Sequence, residues 1–374
     1  MAPRCGMAFA KCLRMSPKLD RVAILYTPAG GGHRAAANAL AAELSSAGVV
    51  VDVRNVLEFA PSWFAYDRAW QLVQRHGGHA WDWLFEHTER GLDLDPVRLP
   101  LHRALFGALD RYLIDFAPTH VVCTHYLPAL AVTRVREQLA ARVIVTITDH
   151  LAHRAWIVPG VDAYCVADAG VARAVRRKTR AEVIVTGIPI AACKLPVRGV
   201  AIELPRARVL ALLGGLPKHE ALMTIDALAP LSRHALHVLC GDDADVLAHA
   251  RKRLPLAEIA ARADGLYAAI DRADLVVTKA GGLTVSECLA RGRAMVLPFA
   301  APGQERGNLF YALDAGAAVR PSELADLADT IEGLVGEPGR LRKMGARARF
   351  AAHPDAAAAV VTSMFGEQAV ARVA

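Results

Sequence analysis

The sequence predicts an α/β protein of two Rossmann-like domains whose parallel sheets face a central cleft. Three observations carry this. The chain has 374 residues, too many for one ordinary core and enough for two. Short β-branched runs alternate with longer amphipathic ones, the βαβα order of a parallel sheet with helices on both faces. The alternation lapses once, between Gly187 and Pro205, and then restarts.

Residues 1–20 hold scattered charge (Arg4, Lys11, Arg14, Lys18) and read as a disordered lead-in. Residues 21–187 read as the N-terminal domain. It opens with a strand at Arg21–Tyr26, a Gly-rich loop and a helix from about His33 to Ala47. Further strands are expected at Val49–Val53, Thr119–Thr124, Arg142–Thr148, Ala163–Ala167 and Glu182–Thr186. Residues 188–205 read as the linker: Pro189, Pro196 and Pro205 stand there without a clear period. Residues 206–352 read as the second domain, with strands at Arg208–Leu213, His237–Cys240, Asp274–Thr278 and Ala294–Pro298. Residues 353–374 read as a C-terminal helix. The two halves look like copies of one architecture, each opening with a strand and a Gly-rich loop.

Composition narrows the function classes. Hydrophobic residues make up 54%, as suits buried parallel strands. The apolar runs are strand-sized, whereas a lipid-spanning helix needs roughly 20 apolar residues. Seven dispersed cysteines without a CxxC point to a reducing cytosol, with neither a disulfide frame nor a zinc site. A formal net charge of +7 suits an anionic partner, such as a nucleotide donor or an acidic membrane surface; a solvated Arg-rich surface is the plainer reading.

Four loops carry candidate chemistry, each after the carboxyl end of a strand, where open α/β sheets bind ligands. In Pro28–Arg34, Gly30, Gly31 and Gly32 let a ligand approach the backbone, and His33 follows at once. The contiguous glycines fit a nicotinamide fingerprint poorly, and a tight turn with a surface His remains the alternative. In Lys279–Glu287, Gly281, Gly282, Leu283 and Thr284 would set a diphosphate on a helix N-terminus, with Glu287 one turn in as acceptor for a ribose diol. The alternative is a capping box of Thr284 and Glu287. In Pro302–Asn308, Gln304 and Glu305 suit sugar hydroxyls; a solvated turn is the alternative. In Thr148–Trp156, Asp149, His150 and His153 fall short of a metal set. Two Asp-x-Asp pairs, Asp93 with Asp95 and Asp243 with Asp245, read as solvated acids.

Between Pro61 and Gly91 lie Trp63, Trp70, Trp81 and Trp83, with Arg68, Arg75 and Arg90 interleaved. Such a segment suits the water–lipid boundary, or equally a helix pair whose rings fill core.

In this order the GGGH, TDHxxHxxW, TGIP, KAGGLTxSE and PGQExxN motifs resemble the monogalactosyldiacylglycerol synthase and processive diacylglycerol glucosyltransferase family. That family is similar in turn to the N-acetylglucosaminyltransferase of peptidoglycan assembly. The resemblance runs from about Arg21 to Ala352. It implies the GT-B fold, a UDP-sugar bound by the C-terminal domain, a lipid acceptor on the N-terminal one, and inversion to a β-linked product. His33 matches the residue proposed as base, with Asp149 as competing base or as the group orienting it. Glu287 matches the ribose acceptor. Gln304, Glu305 and Asn308 match donor contacts, and Gly31, Gly32 and Trp156 lie on the acceptor side. The resemblance departs at Gly214–Lys218, a shorter loop than the family's, where Lys218 stands in for the diphosphate contacts. The expectation is a hexosyltransferase acting on diacylglycerol or a related lipid. It would use no cofactor and no metal, bind no nucleic acid, and sit in the cytoplasm on the inner face of the cell membrane. A non-catalytic binder of the same fold and a UDP-sugar epimerase are the alternatives.

Overall fold

The computed structural model describes residues 20–28, 30–64, 86, 87, 89, 105–192 and 206–365. Two six-stranded sheets, every pairing parallel, form the frame. The first holds β1 (Arg21–Tyr26), β2 (Val50–Asn55), β3 (His120–Cys123), β4 (Arg142–Thr146), β5 (Ala163–Val166) and β6 (Glu182–Val185). The second holds β7 (Arg208–Leu212), β8 (Ala235–Leu239), β9 (Glu258–Ala260), β10 (Leu275–Thr278), β11 (Ala294–Val296) and β12 (Ala318–Val319). The inner strands are apolar through their middles because both faces are covered: Val22–Leu25 and Leu275–Val277 are fully buried.

The helices among the described residues are α1 (Gly31–Ser46), α2 (Gly107–Phe116), α3 (Tyr126–Val132), α4 (Ala169–Arg176), α5 (Lys218–Leu228), α6 (Ala244–Arg253), α7 (Leu266–Arg272), α8 (Gly282–Ala290), α9 (Gln304–Asp314), α10 (Leu327–Val335), α11 (Pro338–Phe350) and α12 (Ala356–Phe365). Small side chains let α1 lie close on its sheet: Ala36, Ala37, Ala39, Leu40 and Leu44 are its buried face.

The halves are not copies. The first sheet runs β2-β1-β3-β4-β5-β6 and the second β12-β11-β10-β7-β8-β9, so each reverses direction beside its own first strand but with a different count on either side. β9 and β12, which the sequence pattern does not predict, have three and two residues, too few to show a strand period. The chain also returns at its end. Ala357, Val360, Val361 and Met364 of α12 pack with Val22, Ile24, Leu40 and Leu44 of the first domain, so two segments cross between the domains.

The two reversal points decide where a ligand can sit. In the first sheet the crevice opens between β1 and β3, in the second between β7 and β10. The loops after β1, β7 and β10 carry glycines and line one cleft, while the short loop after β3 carries Thr124 and His125.

Candidate active site

The cleft between the domains has a volume of about 630 Å³, and its walls include Gly30–His33, Thr148, Asp149, Gly214, Lys279 and Glu287. Two helix N-termini meet in it. α1 starts from Gly30, whose φ of 79° needs glycine, and α8 starts from Gly281. A Cβ on Gly32 would stand 3.1 Å from the Leu283 side chain, so the first turns of α1 and α8 touch. Both present unpaired N–H groups and the positive end of a helix dipole to the same space, which favours an anion.

His33 sits in the first turn of α1. Its Nδ1 lies 2.7 Å from the Thr124 carbonyl oxygen and 3.0 Å from Thr148 Oγ1. A carbonyl only accepts, so Nδ1 carries the proton and Nε2 keeps its lone pair. Burial lowers the His33 pKa to about 4, against a raising effect of the bond to Thr124. Burial, more than the helix dipole, therefore keeps this imidazole neutral. His125 stands edge-on to it with ring centroids 4.6 Å apart, and Trp156 lies 6.2 Å away. Trp156 is 5% exposed. It is a packing residue behind His33, which corrects the expectation that it faces the acceptor or a membrane. Trp63 is 71% exposed; Trp70, Trp81 and Trp83 lie outside the described residues.

Asp149 is buried, and burial raises its pKa to about 6 despite the bond from Asn308. Asn308 is 0% exposed and is fully engaged. Its Nδ2 donates to Asp149 Oδ1 at 2.9 Å and to the Ala280 carbonyl at 3.0 Å, and its Oδ1 accepts from the His150 N–H at 2.7 Å. Position 308 thus pins the loop after β4 to the loop after β10. It is a bridge between domains and does not line the cleft, contrary to the donor contact expected from the motif.

On the second domain, Gly281, Gly282, Leu283, Thr284, Glu287, Gln304 and Glu305 all line the cleft. The capping-box alternative fails: the N-cap is Gly281, with no side-chain cap bond. Glu287 has no hydrogen-bond or ion-pair partner among the described residues, and burial alone raises its pKa to about 7. Glu305 is committed, its Oε2 accepting from Ala301 N–H at 2.7 Å and its Oε1 pairing with the Lys279 ammonium. Lys279, the first residue of the KAGG run, is legible as a motif position, but the motif alone gives its charge no role. Lys218 takes no part in the cleft wall. It begins α5 and pairs with Asp243 and Asp245 at the start of α6, which corrects its assignment to the diphosphate. Asp243 caps α6 through bonds from the Asp245 and Val246 N–H groups. In the short loop after β7 Gly214 packs on Gly241, backbone on backbone, a Cβ on Gly241 falling 2.8 Å from Gly214 Cα. Nothing in the sequence pairs these two glycines. Among the described residues no group of three or more His, Cys, Asp or Glu could hold a metal ion.

Glu287 offers a direct test. It keeps a proton in the fold up to about pH 7, against 4.5 ordinarily, so between those values the native state binds more protons and stability falls as pH rises. Glu287→Gln is expected to raise the melting temperature at pH 8 and hardly at pH 4.5. Each tenfold change in proton affinity is equivalent to about 1.4 kcal/mol, which bounds the gain at about 3 kcal/mol. The same variant should weaken nucleotide-sugar binding at least several-fold at pH 8, where the carboxylate is ionised, since a bond to a charged acceptor contributes about 1.5–3 kcal/mol. Melting curves over pH and a donor titration check both; unchanged donor binding would free Glu287 of its ribose role.

Comparison with known proteins agrees with this geometry. Residues 33–190 match the family model for monogalactosyldiacylglycerol (MGDG) synthase. Monogalactosyldiacylglycerol synthase 3, chloroplastic, of Arabidopsis thaliana is 24% identical, over 91% of this chain and 79% of that protein. The UDP-N-acetylglucosamine--N-acetylmuramyl-(pentapeptide) pyrophosphoryl-undecaprenol N-acetylglucosamine transferase of Geotalea uraniireducens is 35% identical over 30% of this chain, and the match spans 33% of that protein, about a third of its length. The crystal structure of Acinetobacter baumannii MurG superposes with a TM-score of 0.62 at 18% identity, over 92% of this chain and 99% of that one. Two six-stranded parallel sheets about one cleft are the GT-B fold that MurG shares, and in sequence this chain is similar to monogalactosyldiacylglycerol synthase and to the N-acetylglucosamine transferases.

Proposed function

We propose that the protein is an inverting glycosyltransferase that moves a hexose, galactose or glucose, from a UDP-sugar to diacylglycerol or a related membrane lipid, giving a β-glycolipid. The observation that carries this reading is the meeting of two helix N-termini beside a neutral imidazole whose Nε2 is free to accept a proton. An anion site next to a base is what in-line displacement of a diphosphate requires. The Arabidopsis relative bears the name of a lipid galactosylating enzyme, and the Geotalea relative acts on a pyrophosphoryl-undecaprenol; both names suit a lipid acceptor.

In the proposed reaction the acceptor oxygen attacks the anomeric carbon as the bond to the β-phosphate oxygen breaks. The acceptor proton passes to His33 Nε2, and the electron pair of the broken bond leaves on UDP. α8 and Lys279 stabilise the departing diphosphate, so no metal is required. Glu287 accepts from the ribose, and Gln304 and Glu305 meet the sugar hydroxyls. Glu305 can do so while holding Lys279, because a carboxylate has about four acceptor sites. Closure of the domains excludes water that would hydrolyse the donor. No helix among the described residues is long and apolar enough to cross a membrane, and the proposal places the protein at the cytosolic surface of the cell membrane. No nucleic acid takes part.

The test is to incubate the purified protein with UDP-galactose or UDP-glucose and diacylglycerol vesicles, with and without EDTA, and to identify the lipid product. A β-hexosyl lipid formed equally in EDTA is expected. Epimerised UDP-sugar, or donor binding without turnover on any lipid, would overturn the reading. Inhibition by EDTA reversed by Mg²⁺ would overturn the metal-free step.

A further inference from the structure

α11 (Pro338–Phe350) is a basic helix. It carries Arg340, Arg342, Lys343, Arg347 and Arg349 and no acidic residue. Its inner face is Leu341, Met344, Gly345 and Ala348, all buried. At 3.6 residues per turn the opposite ridge runs through Lys343, Ala346 and Phe350, at spacings of three and four. Phe350 is 95% exposed, an unusual place for a phenyl ring.

Part of this charge has internal duties. Arg347 lies over Gly316 and Arg349 over Gly292, at the carboxyl ends of α9 and α8, where cations complement the helix dipole. Arg340 pairs with Glu337 at 3.5 Å. Arg342 and Lys343 make no ion pair among the described residues, and both are exposed. The face is therefore a protruding aromatic ring at the end of its ridge, with cations before and beside it. These cations diverge around the helix, so they cannot converge on one small anion; they suit an extended anionic surface.

We propose that α11 is a docking face for an anionic lipid bilayer, with Phe350 entering the headgroup region and Arg342 and Lys343 meeting lipid phosphates. A helix lying in the interface with an aromatic beside basic residues is how a water-soluble surface holds a charged membrane. The inference rests on the reading that the acceptor is a membrane lipid, and it puts a membrane contact on the second domain.

The experiment measures binding of the full chain, without donor, to phosphatidylglycerol–phosphatidylcholine vesicles and to phosphatidylcholine vesicles. Arg342→Glu/Lys343→Glu and Phe350→Ser are the variants. Arg173→Glu/Arg177→Glu, an equal charge change at exposed positions on and just after α4, is the control. Binding is expected to need the anionic lipid and to weaken with salt. The double variant should lower it about tenfold or more, Phe350→Ser several-fold, and the control much less. Equal loss in the control would reduce the effect to net charge and overturn the assignment. So would wild-type binding by both α11 variants, preference for duplex DNA over anionic vesicles, or a change of oligomeric mass in Phe350→Ser with vesicle binding intact. Turnover on a lipid acceptor in neutral detergent micelles is expected to survive in all variants; its absence in the wild type would count against the transferase reading, while vesicle binding still decides the docking face.

Discussion

Replacing His33 with Ala is expected to lower kcat by roughly 10²–10⁴-fold and to leave donor binding nearly unchanged. The argument starts from the tautomer. Thr124 holds Nδ1–H through its carbonyl, so Nε2 is the only basic atom of the ring. In the free protein a pKa of about 4 keeps that atom unprotonated throughout the neutral range, though it also makes it a weak base. In the proposed reaction donor binding would change this: a diphosphate held between α1 and α8 would stabilise the imidazolium and raise its pKa toward the working pH. The two candidate bases then differ in their pH profiles. Before the donor binds, His33 titrates near 4 and Asp149 near 6. If His33 is the base, kcat/KM keeps its value well below pH 6, and the acid limb of kcat lies at higher pH than that of kcat/KM. If Asp149 is the base, kcat/KM falls through pH 6 and Asp149→Asn abolishes turnover while His33→Ala retains it. Steady-state rates of the wild type and both variants between pH 4.5 and 9 decide between them. Protonation of His33 also has a stability cost of known sign. The unfolded chain takes up this proton near 6.5, the fold only near 4, so this residue makes the fold less stable as pH drops through that interval.

The parts of this site that sequence could show are those whose meaning is local. A strand that ends in GGGH or KAGG announces a helix start open to a ligand, and Glu287 one turn into α8 needs only helical spacing to be placed. Relations between distant positions leave no such mark. Asn308 bonds to Asp149 across 159 positions, and the PGQExxN run gives no sign that its last residue turns away from the cleft toward the other domain. Lys218 could be matched to the diphosphate only while the acids at Asp243 and Asp245 were counted as solvated and unpaired. Trp156 shows the limit of composition. A Trp beside His and Arg suits an interface or a core equally well, and only the packing of β4, β5 and the His33–His125 pair assigns it to the core. The order of each sheet is hidden for the same reason, since strand runs tell which segments pair into a sheet but not which lies beside which.

Replacing Gly282 with Ala is expected to cost about 100-fold in kcat/KM while leaving both cores intact. Gly282 is the first residue of α8, and a Cβ there would stand 2.2 Å from the Thr148 carbonyl oxygen and 3.1 Å from Asp149 Oδ1. The nearer atom is backbone, held at the end of β4, so no side chain can swing aside. The first turn of α8 has to move away from the loop after β4. That motion separates the anion-binding N–H groups from His33, lengthens the bonds Asn308 makes to Asp149 and Ala280, and opens the contact of Leu283 with Gly32. A displacement of about 1 Å between reacting groups is enough for a loss of this size. The second domain's cores lie on either face of its sheet, with Leu275 and Val277 on one and Val276 and Val285 on the other. The methyl group touches neither, so the melting temperature should stay near that of the wild type. Gly281→Ala is the control, because a Cβ there meets nothing closer than 3.9 Å, and its kcat/KM should fall only a few-fold. Equal losses in the two variants would assign the effect to crowding of the ligand and not to collision between the domains. A loss confined to Gly282→Ala, together with a larger radius of gyration in solution scattering, would show that the active geometry depends on α8 and β4 approaching to a distance only glycine allows.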